Sequence, residues 1–307
     1  MSDSPIAVEA HDLVKTFDGT RAVDGASLTV PAGAIYGFLG PNGAGKTTTL
    51  RMLLGIIDPD SGHRTLLGSD RPLRRAHDVG YLPEERGLYP AMTAREGIAF
   101  MGALRGLPLK EGRDRATGLL ADAGLDEWTD KPIRSLSKGM AQTVQLLGTI
   151  VHRPRLVVLD EPFSGLDALN QGKLETLIRT QADNGSTVIF STHVIAHAER
   201  LCEKVAIIAK GRIAFEGAVE EARSRLAPVV RLRTRQPDGP WRALLPDGAH
   251  EGGNEFTFEL PASGPEPLLA SLIEHDAGID TLSIERPGLH DAFVAIAGEA
   301  AAKEMKR

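Results

Sequence analysis

Short apolar runs separated by turn residues fill positions 6–39 of the chain. One of these turns contains Asp18-Gly19, residue types that favour reversal of the backbone. The alternation of apolar runs and turns predicts an antiparallel β region over these positions. Its last apolar run, 35–39, leads directly into a glycine-rich loop.

Longer-range spacing of apolar residues predicts the remaining elements. In 92–124, Ile98, Met101 and Leu104 recur at helical spacing, which predicts a helical insert in an α/β core. Short β-branched runs elsewhere predict buried parallel strands, and the segments next to them predict helices. The predicted strands are 156–159, 187–190 and 205–209, and the predicted helices are 46–57, 170–184 and 194–204.

The composition changes after Gly217, where a basic stretch, 223–235, precedes a stretch rich in Pro, Gly and Asp. This change predicts a domain boundary. Beyond it, strands are predicted at 256–260 and 279–284, and helices at 267–275 and 289–297. The predicted domains are an α/β domain over 1–217, with a helical subdomain at about 88–153, and a small α+β domain over 218–307.

Composition and charge narrow the class of protein. The 307 residues are 42% hydrophobic and 25% charged, as in ordinary globular proteins. A net charge of -6 argues against a general nucleic-acid binder, so no nucleic-acid partner is expected. The single cysteine, Cys202, excludes an internal disulfide and a zinc site built from thiolates. With no signal peptide and no membrane-spanning run, a soluble cytoplasmic protein is expected.

The loop after 35–39 carries the first candidate chemistry, because it matches the pattern G-x-x-x-x-G-K-[ST] between a predicted strand and a predicted helix. Glycines let such a loop turn its N–H groups onto a phosphate, and the helix N-terminus adds partial positive charge. We predict that Lys46 contacts the β and γ phosphates and that the Thr47 hydroxyl binds Mg²⁺. The predicted nucleotide-binding residues are Gly40, Pro41, Asn42, Gly43, Ala44, Gly45, Lys46, Thr47 and Thr48.

Two acidic residues, Asp160 and Glu161, follow the apolar run 156–159. An acid at the end of such a strand, in a protein with a phosphate loop, is the second anchor for Mg²⁺ in these nucleotidases. We therefore predict that Asp160 holds the metal through water and that Glu161 acts as the general base for the attacking water.

Further motifs follow in a fixed order along the chain, and together they resemble the ATP-binding cassette (ABC) family. Leu136-Ser137-Lys138-Gly139-Met140 is similar to the family signature L-S-G-G-Q. The resemblance extends from about Val8 to Glu216 and implies a phosphate-loop NTPase fold of class α/β, with ATP and Mg²⁺ as ligands. The other matching motifs are Phe17, Tyr81-Leu82-Pro83-Glu84 (Q-loop), Ser164-Gly165-Leu166-Asp167 (D-loop) and Ser191-Thr192-His193.

The resemblance also implies roles for these residues. Phe17 would stack on adenine, although a core aromatic is the alternative for this residue, and His193 would be the catalytic switch histidine. The helical insert carries the signature outward, so that it cannot close on its own Lys46. In two cassettes packed head to tail, Ser137 and Gly139 of one copy would cap the ATP held by the other. Asp167 of the D-loop would also belong to the nucleotide-binding residues.

Three positions depart from the family pattern, and together with a longer stretch they indicate one branch of the family. Lys138 and Met140 replace a glycine and the glutamine of the signature, and Glu84 replaces the glutamine of the Q-loop. We predict that Glu84 is a Mg²⁺ ligand, with a solvent-exposed position or a pair with Arg86 as the alternatives. The stretch 83–90, together with the C-terminal segment, resembles the cassettes of ABC-2-type exporters, including sodium-efflux and drug-resistance cassettes.

The function expected from this resemblance is ATP hydrolysis that drives a separate transmembrane permease subunit. The chain would lie on the inner face of the cell membrane through the permease. Because the site residues are intact, the second cassette is expected to be another copy of the chain rather than a different one. The alternative is a soluble cassette protein that acts on ribosomes, nucleic acid or metal-cluster assembly.

Overall fold

The computed structural model describes residues 5–85, 87–236, 238–246 and 248–298. These residues fall into two compact units. The first contains the described residues up to Val219 together with 296–298, and the second contains the described residues of Glu220–Ala295. All of the predicted site residues lie in the first unit.

The strands of the first unit are β1 (Ile6–Phe17), β2 (Thr20–Pro31), β3 (Ile35–Leu39), β4 (Ser61–Leu66), β5 (Val79–Leu82), β6 (Leu156–Asp160), β7 (Thr187–Thr192), β8 (Lys204–Ala209) and β9 (Arg212–Ala218). The helices of the first unit are α1 (Lys46–Leu53), α2 (Ala94–Ala103), α3 (Leu109–Asp122), α4 (Lys138–Ile150), α5 (Ala168–Asp183) and α6 (Ile195–Leu201), and α7 (Val219–Arg223) crosses the unit boundary. Short 3-10 helices occur at Pro72–Asp78, Asp126–Trp128 and Ile133–Ser135.

An antiparallel sheet in the order β2-β1-β4 forms one layer. Val8 pairs with Val30 and Ala10 pairs with Leu28 across its long strands, and all of these side chains are buried. Long strands that bury one face in this way are typical of antiparallel sheets. The predicted antiparallel region is therefore confirmed for β1 and β2.

The run 35–39 belongs to a different sheet, and its assignment to the antiparallel region was wrong. β3 is parallel to β7 on one side and to β8 on the other, inside a mixed sheet in the order β5-β6-β7-β3-β8-β9. Nearly all of its side chains are buried, as expected for a strand covered on both faces. The predicted parallel strands at 156–159, 187–190 and 205–209 are confirmed in this sheet.

The order of this sheet brings functional segments together, because β6, β7 and β3 are neighbours and run in the same direction. Leu39 at the end of β3 pairs with Thr192, and Asp160 at the end of β6 pairs with Ser191. The phosphate loop, the two acids and the segment around His193 therefore emerge at one edge of the sheet.

The helices differ from prediction mainly at their ends. α1 ends at Leu53 rather than at 57, and Gly55 follows it in the left-handed region (φ 74°). The insert predicted over 92–124 consists of α2 and α3, which are separated by a turn that contains Gly106 (φ 90°) and Pro108. The predicted helix at 194–204 ends early, since β8 begins at Lys204.

The second unit is an α+β structure. Its elements are β10 (Val229–Thr234), β11 (His250–Gly252), β12 (Glu255–Glu259), α8 (Pro265–Glu274), β13 (Ile279–Glu285) and α9 (Leu289–Ala297), with a 3-10 helix at Pro240–Leu244. The strands form an antiparallel sheet in the order β11-β12-β10-β13. Trp241, Phe256 and Leu272 are buried in its core. Among the described residues, we find no helix with the length and apolar character that crossing a membrane requires.

Candidate functional site

The phosphate loop follows β3 and packs so closely on its neighbours that two of its glycines are required. A Cβ at Gly40 would lie 2.5 Å from the carbonyl oxygen of Ile208. A Cβ at Gly45 would lie 2.5 Å from the carbonyl oxygen of Ala22, and its φ of 103° also disfavours other residues. The loop is thus fixed between β8 and the start of β2.

Helix α1 begins in this loop with an uncompensated N-terminus. Gly45 is its N-cap, and within the described chain neither a side-chain cap nor an acidic residue of the first turn satisfies its N–H groups. Such an end attracts anions. Lys46 is buried, and its Nζ donates hydrogen bonds to the carbonyl oxygens of Gly40 (2.8 Å) and Pro41 (3.2 Å). These bonds aim the ammonium group back over the loop.

Beside this loop lies a cavity of about 240 Å³. It brings most of the predicted phosphate-contacting residues together with two carboxylates from other segments. The lining residues are Ala22, Pro41, Asn42, Gly43, Gly45, Lys46, Thr47, Thr48, Glu84 and Glu161. The other two predicted loop residues, Gly40 and Ala44, are buried and do not line the cavity.

Asp160 is fully buried at the end of β6. Its Oδ1 accepts a hydrogen bond from the Ser191 hydroxyl (2.5 Å), whereas its Oδ2 is buried and has no hydrogen-bond partner among the described residues. A buried acceptor without a donor is costly unless a ligand satisfies it. Hard oxygen donors such as this carboxylate and the Thr47 hydroxyl suit Mg²⁺. The residues present therefore fit the metal.

Glu161 connects the segments of the site. Its Oε1 lies 3.0 Å from Nζ of Lys46, and its Oε2 lies 2.9 Å from Nδ1 of His193. Its backbone N–H donates to the Ser191 hydroxyl (2.9 Å), and its φ of 46° is unusual for a residue with a side chain. Strained backbone of this kind is concentrated at functional sites. Glu161 thus contacts both of the other predicted catalytic residues, Lys46 and His193.

Comparison with known proteins agrees with this geometry. A family model described as "ABC transporter" matches residues 23–164. The daunorubicin/doxorubicin resistance ATP-binding protein DrrA of Streptomyces peucetius is 33% identical, over 96% of this chain and 93% of its own. The Nod factor export ATP-binding protein I of Burkholderia lata is 34% identical, over 96% of this chain and 98% of its own. A solved ATP-binding subunit of an ABC transporter is 29% identical, with a TM-score of 0.66 over 71% of this chain and 92% of its own.

The chain belongs to the ABC transporter family. It is an ATP-binding cassette of the α/β phosphate-loop class that hydrolyses ATP, and the fold class and activity expected from the sequence are confirmed. The predicted roles of individual residues rest on the geometry of the site.

The signature and D-loop of this cassette lie outside the phosphate-loop cavity. Ser137 is exposed and caps α4, since its hydroxyl accepts a hydrogen bond from the N–H of Met140 (3.3 Å). Asp167 is exposed and caps α5 in the same way through the N–H of Asn170 (2.9 Å). Neither Ser137, Gly139 nor Asp167 lines the cavity beside Lys46. That the signature cannot close on the cassette's own Lys46 stays a prediction.

Phe17, the predicted adenine-stacking residue of the cassette, ends β1. Its side chain is 46% exposed, which excludes the alternative of a core aromatic. Nζ of Lys15 lies 5.6 Å from the ring centroid, so a cation faces the ring. Phe17 does not line the phosphate-loop cavity, and its stacking on adenine remains a prediction.

Glu84, in the Q-loop of the cassette, lines the cavity that contains Lys46 and Thr47. It also lines a neighbouring cavity of about 690 Å³, shared with Lys138 and Glu161. Glu84 is also exposed, as its alternative expected, and its role as a Mg²⁺ ligand stays a prediction. Arg86, the other partner considered for Glu84, lies outside the described residues.

Sequence reasoning gave no role to Ser191 or His197. Ser191 is buried and bridges Asp160 and Glu161, and its position at the end of a strand beside β6 was the available signal. His197 stacks on Phe163 (centroids 3.9 Å apart) and lies 3.0 Å from Glu175. Burial lowers the pKa of His197. His197 thus contacts an aromatic ring and a carboxylate. Because Glu175 belongs to α5 and His197 to α6, the second contact joins the two helices.

Proposed function

We propose that the chain is the ATP-hydrolysing subunit of an ABC-2-type exporter, with the membrane-spanning permease on a separate polypeptide. The proposal of ATP hydrolysis at this site rests on the contact of Glu161 with both Lys46 and His193 beside the phosphate loop. The names of the two curated relatives, one for resistance and one for Nod factor export, support the exporter part.

The geometry suggests how ATP changes the site. Lys46 is paired with Glu161, and a triphosphate in the loop would compete for the ammonium group. Release from Lys46 leaves Glu161 with His193, which orients the carboxylate towards an attacking water as general base. Thr47 and Asp160 would hold Mg²⁺, whose charge stabilises the transferred phosphoryl group.

The site of a single chain is incomplete in this proposal. Ser137, Gly139 and Asp167 lie at or next to helix N-termini, and none of them lines the cavity beside Lys46. A second copy placed head to tail would bring them onto the ATP of the first. Closure on two ATP molecules would then drive the permease. Two copies of one chain suffice because each carries both halves of the site.

We further propose that the cassette works on the cytoplasmic face of the cell membrane through its permease. Glu220–Ala295 forms an accessory domain in this proposal. A nucleic-acid partner is not expected from the acidic net charge of -6. No observation on the site favours the alternative of a cassette that acts on ribosomes or metal clusters.

The test of the head-to-tail pair uses Glu161→Gln, which keeps the shape of the carboxylate and removes its basicity. We expect this variant to run as a dimer in gel filtration with MgATP and as a monomer with MgADP. A monomer with MgATP, despite measured ATP binding, would contradict the paired site. For the permease, deletion of a neighbouring gene for a multi-span membrane protein is expected to move the chain from the membrane fraction to the soluble fraction.

A further inference from the structure

The main chain directly after Glu161 carries a buried aromatic side chain that two other rings contact. Phe163 is 4% exposed and stacks on the imidazole of His197, with the ring centroids 3.9 Å apart and an angle of 6° between the ring planes. Phe190 of β7 contacts the ring of Phe163 at a steep angle of 77°, with the centroids 5.8 Å apart. Aromatic contacts favour defined geometries, so the two rings fix the position of Phe163.

The imidazole of His197 is itself held in place by a carboxylate. His197 is 3% exposed, and its Nδ1 lies 3.0 Å from Oε1 of Glu175 in α5. Because an ionised carboxylate only accepts hydrogen bonds, Nδ1 carries the hydrogen. Glu175 in turn accepts a hydrogen bond from Nε of Arg200 (3.1 Å). Burial lowers the pKa of His197, so the ring is uncharged at neutral pH. The bond to Glu175 therefore fixes the tautomer and the orientation of the ring.

The backbone of Glu161 needs support of this kind. Its φ of 46° is unusual for a residue with a side chain, and strained backbone persists only where the surrounding structure holds it. The carbonyl oxygen of Glu161 accepts a hydrogen bond from the N–H of Ser164 (3.1 Å), which closes a turn with Phe163 inside it. The contacts of Phe163 therefore help to hold the turn that carries the Glu161 carboxylate.

One short segment, 193–197, contacts both the carboxylate of Glu161 and the turn that carries it. Nδ1 of His193 lies 2.9 Å from Oε2 of Glu161, and His197 stacks on Phe163. The carboxylate and its turn are thus aligned against the same neighbour. A displacement of Phe163 relative to His197 would therefore also change the position of Glu161 relative to His193.

We propose that His197 is a positioning residue for ATP hydrolysis, which holds Glu161 in place as the general base through the ring of Phe163. His197 does not line the cavity beside Lys46, so it acts through Glu161 rather than on the nucleotide. Its loss should slow the chemical step and leave ATP binding intact, because Lys46 is held by carbonyl oxygens of its own loop. This inference rests on the proposed function, since it requires Glu161 to be the base.

The experiment separates the two contacts of His197 by measuring kcat for phosphate release and the Kd for MgATP. His197→Asn keeps a hydrogen-bond donor near Glu175 and removes the ring, whereas His197→Phe keeps a ring against Phe163 and removes the donor. We expect His197→Asn to lower kcat by about 10–10²-fold, as the misplacement of a catalytic group does, with the Kd unchanged. His197→Phe should retain most of the parent kcat. Phe163→Leu, which removes the stack from its other side, should lose about as much as His197→Asn.

Two controls distinguish positioning from a loss of stability. Leu201→Ala truncates another buried residue of α6, so it should lower the melting temperature without lowering kcat. The second control repeats His197→Asn in the Glu161→Gln background, with single-turnover measurements of the residual rate. Because His197 acts through the carboxylate, its substitution should lower the rate there by less than about twofold.

The parent kcat in a folded His197→Asn protein would overturn the inference, and so would equal losses in His197→Asn and His197→Phe. The same fractional loss with and without the Glu161 carboxylate would show a purely structural role and would also overturn it. A drop in ATP affinity that accounts for the lost turnover has the same consequence. These results leave the assignment of Glu161 as base intact, whereas parent turnover in Glu161→Gln alone would contradict both that assignment and the inference.

Discussion

Lys46 and Glu161 form a buried ion pair, with Nζ and Oε1 3.0 Å apart. Both side chains are more than nine-tenths buried, with exposures of 6% and 7%. The lysine and the carboxylate proposed as general base are therefore each other's ion-pair partner. In the proposed mechanism the same ammonium group binds the phosphates of ATP. Phosphate binding and the release of Glu161 from Lys46 are therefore expected to occur together.

Replacing Lys46 with Ala is expected to weaken ATP binding by roughly 1.5–3 kcal/mol, the usual worth of a hydrogen bond to a charged group. It also leaves Glu161 buried without its cation, so the free energy of unfolding should fall as well. Titration with a fluorescent ATP analogue and thermal denaturation measure the two effects. Lys110→Ala is the control on an exposed lysine, and unchanged ATP affinity in Lys46→Ala would refute the phosphate-loop assignment.

Ser191 is expected to matter for Mg²⁺ as well as for stability. Its hydroxyl donates to Asp160 and accepts from the N–H of Glu161, so Ser191→Ala frees both groups. We expect a loss of about 1–3 kcal/mol in unfolding free energy, together with a higher Mg²⁺ requirement for ATP hydrolysis.

The control for Ser191→Ala lies just before the other end of β7. Ser186 is also buried, and its hydroxyl donates to the carbonyl oxygen of Pro154 (2.7 Å), far along the strand from the acids. Ser186→Ala should lower stability and leave the Mg²⁺ dependence unchanged. The same Mg²⁺ dependence in both variants would show that Ser191 has only a structural role.

Parts of the fold followed directly from the sequence. The phosphate loop, the acids after 156–159 and the helical insert were predictable because each depends on local residue types. The direction of β3 was not, because the residues of a buried strand do not specify which neighbours it pairs with. Ser191 was missed for a related reason, since its role depends on the pairing of β6 with β7.

The segment 223–235 contains a strand that was not predicted, because the sequence was interpreted there only as a basic stretch. Its arginines suggested a basic stretch, yet Val229–Thr234 is a central strand of the second unit. Val230 and Leu232 are buried, while Arg231 and Arg233 pair with Glu285 and Glu255 on neighbouring strands. The alternation of apolar and charged residues was the available signal.

The domain boundary can be tested by ending the chain after Val219. This truncation keeps β9, whose Glu216 accepts hydrogen bonds from the Tyr36 hydroxyl (2.9 Å) and the N–H of Thr29 (2.6 Å). We expect a folded cassette with unchanged ATP affinity, measured by titration after circular dichroism confirms the fold. A folded truncation that no longer binds ATP would show that the chain after Val219 contributes to the site.

Glu84 is expected to make nucleotide binding depend on Mg²⁺ more steeply than a glutamine would. A carboxylate is a stronger ligand for a hard cation, but without the metal it adds negative charge beside Glu161 in the shared cavity. ATP titrations of the parent protein and Glu84→Gln across Mg²⁺ concentrations compare the two slopes. Identical slopes would place Glu84 outside the metal shell.

Steady-state release of phosphate from MgATP by the parent protein and Glu161→Gln is the most direct test of the ATPase site. Loss of the general base should reduce turnover by about 10²–10⁴-fold. The affinity for ATP should remain, because the loop and Lys46 are intact. Turnover at the parent rate, in a variant that binds ATP normally, would contradict the assignment of Glu161 as the base and with it the mechanism proposed for this cassette.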